Sequence, residues 1–116
     1  MPDADPRSFL PLTPLVSEVL LSLAEESRHG YGIILDVERR SQGVITLRTG
    51  TLYLLLQRLV AQRLIEETDA KSDDERRRYY RLTALGRAVL GAEARRLESL
   101  VDDARRTRVL GRVAKR

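Results

Sequence analysis

The sequence predicts a mainly α chain with one small β-hairpin, ordered as three short helices, the hairpin and a long last helix. Three observations carry that prediction. Apolar residues recur at helical spacing in four separate segments. Two short runs of strand-like residues flank a polar stretch over residues 69–75. The 116 residues are 42% hydrophobic and 33% charged, which suits a single helical domain with one modest core.

The four prolines all lie within the first fourteen residues, so residues 1–12 are expected to be a flexible N-terminal segment. Thr13 then offers a side-chain cap and Pro14 a first helical residue that needs no amide bond. Leu15, Val16, Val19, Leu20, Leu23 and Ala24 continue at helical spacing, predicting a first helix over about residues 13–26. After Ser27-Arg28-His29, a second helix is expected from Gly30 to Arg40, with Tyr31, Ile34, Leu35 and Val37 as its apolar set. Gly43 suits the left-handed residue that follows a helix. Val44 to Leu47 is either a turn or one short strand. A third helix starts at Thr49 or Thr51 and runs to about Arg63. Leu52, Leu56 and Leu59 line its buried side with Leu55 and Val60 beside them, which turns Leu54, Gln57, Arg58 and Ala61 outward.

Leu64 to Thr68 and Arg77 to Leu82 are the two expected strands, with Tyr80 and Leu82 pointing inward. Thr83 caps the last helix, predicted from about Ala84 to about Arg106. Leu85, Ala88, Val89 and Ala92 make one apolar patch on it; Leu97, Leu100, Val101 and Ala104 make a second. A helix this long exceeds what one small domain needs to cover itself, so its stripe is expected to be covered by a second copy. The alternative is a helix folded back on its own core.

The formal net charge of +4 is unevenly spread, with −5 over residues 1–75 and +9 over residues 76–116. Arg76, Arg77, Arg78 and Arg81 crowd four cations into six residues, and a basic tail follows the last helix over 107–116. Concentrated positive charge of this kind is the footprint of a polyanion partner; a solvated surface and a frayed tail are the plain alternative. No apolar run reaches membrane-spanning length, and the first residues lack a secretory pattern, so a cytoplasmic protein with no membrane partner is expected. With no cysteine there are no disulfides, thiolate metal sites or cysteine nucleophiles. His29 is the only histidine, without an acidic partner at metal-ligand spacing, and is expected to shape the turn into the second helix. No nucleophile elbow or glycine-rich phosphate loop is present. The sequence therefore predicts no enzyme, no metal and no cofactor.

Helix, helix, helix, hairpin, long helix is the order of a winged helix-turn-helix, whose third helix enters the major groove while the hairpin wing lies along the adjoining backbone. That domain is expected over residues 13–82, with a dimerisation helix over 83–106. Three stretches narrow the reading: His29-Gly30-Tyr31-Gly32; Thr49-Gly50-Thr51-Leu52-Tyr53 followed by Leu56, Arg58 and Leu59; and Arg77-Arg78-Tyr79-Tyr80-Arg81-Leu82-Thr83-Ala84-Leu85-Gly86. In this order and spacing they resemble the PadR family of transcriptional regulators, over about residues 13–105, and the short C-terminal part resembles its small subgroup. The resemblance implies a repressor that binds a two-fold-symmetric operator as a homodimer and is released by a small-molecule effector, often aromatic or drug-like. Two positions depart from the family pattern: Leu54 stands where proline is usual, and Arg63 where glycine is usual.

The resemblance places Tyr31 and Tyr53 as hydroxyl donors to phosphate; core packing is the other reading, above all for Tyr31. Thr49 and Thr51 either cap the third helix or bond phosphate at its positive end. Leu54 can meet a thymine methyl. Gln57 and Arg58 are candidates for base edges or adjacent phosphates, Arg58 alternatively for a surface ion pair. Arg76, Arg77 and Arg78 would reach DNA from the wing, with pairing to Asp73, Asp74 and Glu75 as the competing role. The dimerisation candidates are Leu85, Val89, Ala92, Leu97, Leu100, Val101 and Ala104. There is no tryptophan, and the single phenylalanine, Phe9, lies in the lead-in, so no aromatic cage is expected and planar aromatic drugs should bind weakly. A helical protein–protein adaptor and a nonspecific nucleic-acid binder are the readings from other classes.

Overall fold

Thr13 opens the first helix, α1 (Pro14–Glu25), by accepting the Val16 amide on its hydroxyl at 3.1 Å. This is a computed structural model, describing residues 4–68 and 78–111. A two-residue strand, β1 (Arg28–His29), leads into α2 (Gly30–Arg40), whose cap is His29. The imidazole Nδ1 accepts the Gly32 amide at 3.1 Å, so His29 does shape the turn into this helix. Then follow α3 (Thr49–Ala61), β2 (Ile65–Thr68), β3 (Tyr79–Leu82) and α4 (Ala84–Arg106). Val44 to Leu47 is loop, which resolves the choice between turn and strand.

The three strands form one antiparallel sheet in the order β1-β3-β2. Ile65 pairs with Leu82 and Glu67 with Tyr80, while Arg28 pairs with Tyr80 across the other edge. Tyr80 is buried and Leu82 half-buried against the core, as the alternation requires. The His29 and Tyr79 rings meet edge to face with centroids 5.3 Å apart, closing the sheet over the start of α2.

Leu20 and Leu23 of α1, Ile33 and Val37 of α2, and Leu52, Leu56 and Leu59 of α3 converge with Leu64, Ile65, Tyr80 and Val89 in one core. Three expectations change here. Residues 4–12 are not a loose lead-in: Pro6–Phe9 is a 3-10 turn against α4, and Phe9, Leu10 and Leu12 pack on the core. Second, α2 buries Ile33 and Val37, leaving Tyr31 and Leu35 exposed, because its capped start turns Gly30 inward. Third, most of the first apolar patch of α4 serves the chain's own core: Val89 and Ala92 are buried and Leu85 is half-buried, covered by α1, the sheet and the N-terminal turn, while Ala88 is exposed.

Charged groups tie the layers together. Asp36, buried on α2, accepts hydrogen bonds from Arg39 and Arg40 and lies 3.6 Å from Arg28. Arg40 reaches on to Glu18 of α1 at 2.8 Å, and Arg28 to Glu25 and to the Ser22 carbonyl. Burial acts to raise the Asp36 pKa, but the hydrogen bonds from Arg40 and Arg39 and the Arg28 charge outweigh it, holding the carboxyl below its usual range. On α4, buried Glu93 makes a two-pronged pair with Arg96 at 2.7 and 2.8 Å. That pair, against the opposing effect of burial and with help from the Leu12 amide, holds Glu93 below its usual range. The Leu12 contact also pins the N-terminal segment to the helix.

Two turns set the relation of α3 to the wing and α4. At the end of α3, Arg63 takes a left-handed conformation, φ +64°, and its amide donates to the Val60 carbonyl at 2.9 Å while the Leu64 amide donates to Leu59 at 3.0 Å. The Leu64 carbonyl accepts the Thr83 amide at 3.1 Å, and the Thr83 hydroxyl accepts the Gly86 amide at 2.9 Å. Gly86 packs so tightly here that a Cβ would fall 2.0 Å from the Leu64 carbonyl oxygen.

Candidate nucleic-acid interface

Residues 41–65 contain no acidic side chain and include Arg48, Arg58 and Arg63. Most of this run is α3 and its approaches, and α3 exposes one whole face. Thr49, Thr51, Tyr53, Leu54, Gln57, Arg58 and Ala61 are all exposed, while Leu52, Leu55, Leu56 and Leu59 fill the core. The inward leucines decide which way the helix faces; the outward residues follow from its period.

No side chain caps the N-terminus of α3, where Arg48 occupies the capping position. Thr49 and Thr51 therefore do not act as its cap, and their hydroxyls stand beside the positive end of the helix, where an anion is favoured. Arg48, exposed at the same end, was not singled out by the sequence reading; a cation directly before the threonine pair was the signal for it.

Tyr53 crosses from α3 to α2. Its ring lies over Gly30, where a Cβ would sit 2.8 Å from the Tyr53 hydroxyl, so the first turn of α2 stands beside it. Tyr31 in that turn is 59% exposed, which rules out the core reading for it. Tyr53 also lines, with Leu56, Gln57 and Val60, a cleft of about 460 Å³ that faces Glu67, Arg78 and Tyr80 of the wing. Burial first, then the Glu67 carboxylate, pushes the Tyr80 hydroxyl up, so it stays protonated and able to donate. Tyr80 lies at the cleft as well as in the core, a dual position that strand alternation alone did not indicate.

Arg78 pairs with Glu67 at 3.5 Å and Arg81 with Glu66 at 2.7 Å, both on exposed surface. Such pairs contribute only about 0–1 kcal/mol, so a phosphate can replace the carboxylate partner. Arg76 and Arg77, with the acids Asp73, Asp74 and Glu75, lie outside the described residues. The structure thus brings together Tyr31, Thr49, Thr51, Tyr53, Leu54, Gln57, Arg58 and Arg78 on the α2, α3 and wing surface.

Of the second patch on α4, Leu97 is 40%, Leu100 59% and Val101 38% exposed, and Ala104 is half-buried. Gly91, Ala94, Leu97 and Val101 line a shallow groove along the helix with Arg95 and Glu98. Among the described residues no group of histidines and acids could hold a metal ion, and no helix is long and apolar enough to cross a membrane.

The sequence model of the transcriptional regulator PadR-like family matches residues 19–92, from the middle of α1 into α4. This chain belongs to the PadR-like family. It is a DNA-binding transcriptional regulator of winged-helix fold, in a family of regulators rather than enzymes. It is 35% identical over 82 residues to a transcriptional regulator of Mycobacterium tuberculosis, covering 71% of this chain and 74% of that one. It is 36% identical over 77 residues to an uncharacterized protein of Lysinibacillus sphaericus, covering 66% and 71% of the two chains. Among solved structures, a PadR-like transcription factor from Bacteroides fragilis superposes with a TM-score of 0.68 at 26% identity, covering 80% of this chain and 88% of that one. RosR of H. salinarum, in a complex, superposes with a TM-score of 0.64 at 33% identity, covering 91% and 89%. The matched span holds the whole α2, α3 and wing surface of this PadR-like chain, whereas the exposed end of α4 lies beyond it.

Proposed function

We propose that this PadR-like regulator is a sequence-specific repressor that acts in the cytoplasm as a homodimer on a two-fold-symmetric operator. One observation carries the reading: the exposed face of α3 is free of acid along its whole length and is flanked by the Tyr31 and Tyr53 hydroxyls and the Arg78 guanidinium. In the groove, Thr49, Thr51, Tyr31 and Tyr53 bond phosphates and position the helix; Leu54, Gln57 and Arg58 meet base edges or the adjoining phosphates. Arg78, with Arg76 and Arg77, follows the backbone from the wing. Leu97, Leu100, Val101 and Ala104 join the two protomers. The spacing from Leu90 through Ala94, Leu97 and Val101 to Ala104 alternates four and three, which is the period of a helix-to-helix seam. Leu85, Val89 and Ala92 stabilise the protomer rather than the pair.

A small molecule that releases the repressor would bind among leucine, valine and alanine of α1 and α4. All four tyrosines stand on the α2, α3 and sheet side, so planar aromatic drugs should bind weakly. Tight, saturable binding of such compounds in a fluorescence titration would contradict this.

Fluorescence anisotropy tests the main reading. DNA from upstream of the coding region is compared with scrambled DNA of equal length at several salt concentrations. A preference of roughly a hundredfold or more, at one dimer per symmetric site, is the expected result. Equal affinity for both duplexes, falling steeply with salt, would make the chain a nonspecific binder. No binding at low salt would turn the reading toward a protein–protein adaptor.

A further inference from the structure

We infer that Leu54 selects a thymine, through its 5-methyl group, in each operator half-site. The inference rests on the DNA-binding reading above and names the base that the recognition helix requires.

At about 100° per residue, Gly50, Leu54, Gln57 and Ala61 fall along the outermost face of α3, with Leu54 and Gln57 about 30° to either side of its centre line. Gln57 is on the wing side of that line, and Thr51 and Arg58 lie further round on the Leu54 side. All six are exposed. Gly50 has no side chain, and a Cβ placed there would meet nothing within 4 Å. Ala61 ends at its Cβ. Leu54 is therefore the one apolar side chain on the crest that reaches well beyond the backbone, beside the polar Gln57, and it is 71% exposed. It contributes nothing to the core, which Leu52, Leu55 and Leu56 fill from the opposite side of the same helix.

The crest of a groove-bound helix is the part that goes deepest. Here Gln57 and Leu54 share the crest, so one hydrogen-bonding amide and one branched hydrocarbon face the groove floor while Thr51 and Arg58 face its wall. That floor presents ring nitrogens, carbonyl oxygens and amino groups, and one apolar group, the thymine methyl. A leucine pressed on the other edges strips water from polar atoms and returns no hydrogen bond, which is unfavourable. Against the methyl it removes apolar surface from water on both sides. One residue thus favours thymine and disfavours cytosine, guanine and adenine at the same place.

The test begins with the full chain and a pool of randomised duplexes. From the enriched operator, each thymine is replaced in turn by deoxyuridine, which keeps the pairing edge and the groove carbonyl and removes the methyl alone. One thymine in each half-site should lose about fourfold in affinity on replacement, and about sixteenfold when both halves are changed. Leu54→Ala, which removes an exposed side chain, should bind the thymine operator more weakly and show no further loss with uracil. Circular dichroism of the variant confirms that α3 remains folded. An enriched operator indifferent to every methyl, or a Leu54→Ala variant that keeps the full uracil penalty, overturns the inference and leaves the DNA reading standing. A pool from which nothing is enriched overturns the DNA reading and this inference with it.

Discussion

Replacing Arg63 by glycine should make the protein more stable. Arg63 holds φ +64° where α3 stops, and the two backbone bonds that close the turn, at 2.9 and 3.0 Å, require that conformation. The left-handed region costs an L side chain about 1–2 kcal/mol through the approach of Cβ to the carbonyl. Glycine escapes this but loses more chain entropy on folding, about 0.5–1 kcal/mol. The Arg63 side chain is exposed, so its removal leaves no cavity. The balance is a gain of roughly 0.5–1 kcal/mol, or about 2–5 °C in Tm. Urea and thermal unfolding followed by circular dichroism, at one fixed protein concentration, measure it. Arg63→Ala belongs beside it, because alanine keeps the Cβ and removes the guanidinium. Glycine should exceed alanine by about 1 kcal/mol. If the two variants are equally stable, the backbone at residue 63 is not left-handed in solution and the reasoning fails.

Gly86→Ala should act in the opposite direction, lowering stability by about 3 kcal/mol or more, since its Cβ would fall 2.0 Å from a backbone oxygen; an unfolding midpoint unchanged from wild type would refute the close approach. Because the Asp36 carboxyl is held below its ordinary value of 3.8, its contribution is complete above that pH and is lost as pH falls through its lower folded value. Asp36→Asn should cost about 3–5 kcal/mol near pH 7 and flatten the acid limb of the stability profile, and an acid limb as steep as wild type would contradict this. Arg58→Ala should weaken operator binding: a salt slope reduced by about one marks a phosphate contact, an unchanged slope with relaxed base preference marks a base edge, and unaltered affinity removes Arg58 from the interface. Leu100→Glu should sediment as a folded monomer, and a dimer of undiminished affinity would place the seam elsewhere.

Much of this architecture was legible in the residues, for local reasons. Thr13 and Thr83 cap their helices with their own hydroxyls, so those starts lie where short-range chemistry puts them. The leucines of α3 recur at one period, which settled both faces of that helix at once. What escaped depends on contacts distant in sequence. The strand at Arg28 and His29 is two residues long and exists through pairing with Tyr79 and Tyr80, fifty residues away. Nothing in a proline-rich opening says that Phe9, Leu10 and Leu12 will find α4, since the acceptor that holds Leu12 is Glu93. For the same reason the two apolar patches of α4 look alike in sequence, and only the fold separates the one already covered from the one left open. Tyr31 was read with the apolar set of α2, yet the turn capped by His29 rotates it outward.

The joint at Leu64, Thr83 and Gly86 has a mechanical consequence. From Gly86 to the last turn of α4 is twenty residues, about 30 Å of stiff rod at 1.5 Å per residue. At its near end the rod is seated on the carbonyl that directly follows the stop of α3, with no room for slip. A swing of about 5° at this pivot carries the far end through roughly 3 Å. In the proposed dimer, where two rods are fastened by their far ends, the relation reverses: their pitch sets the distance between the two α3 helices. DNA accepts that pair only near one helical turn of separation, roughly 34–36 Å. Anything that tilts the rods by a few degrees thus detunes the span, without touching a residue that reads the operator.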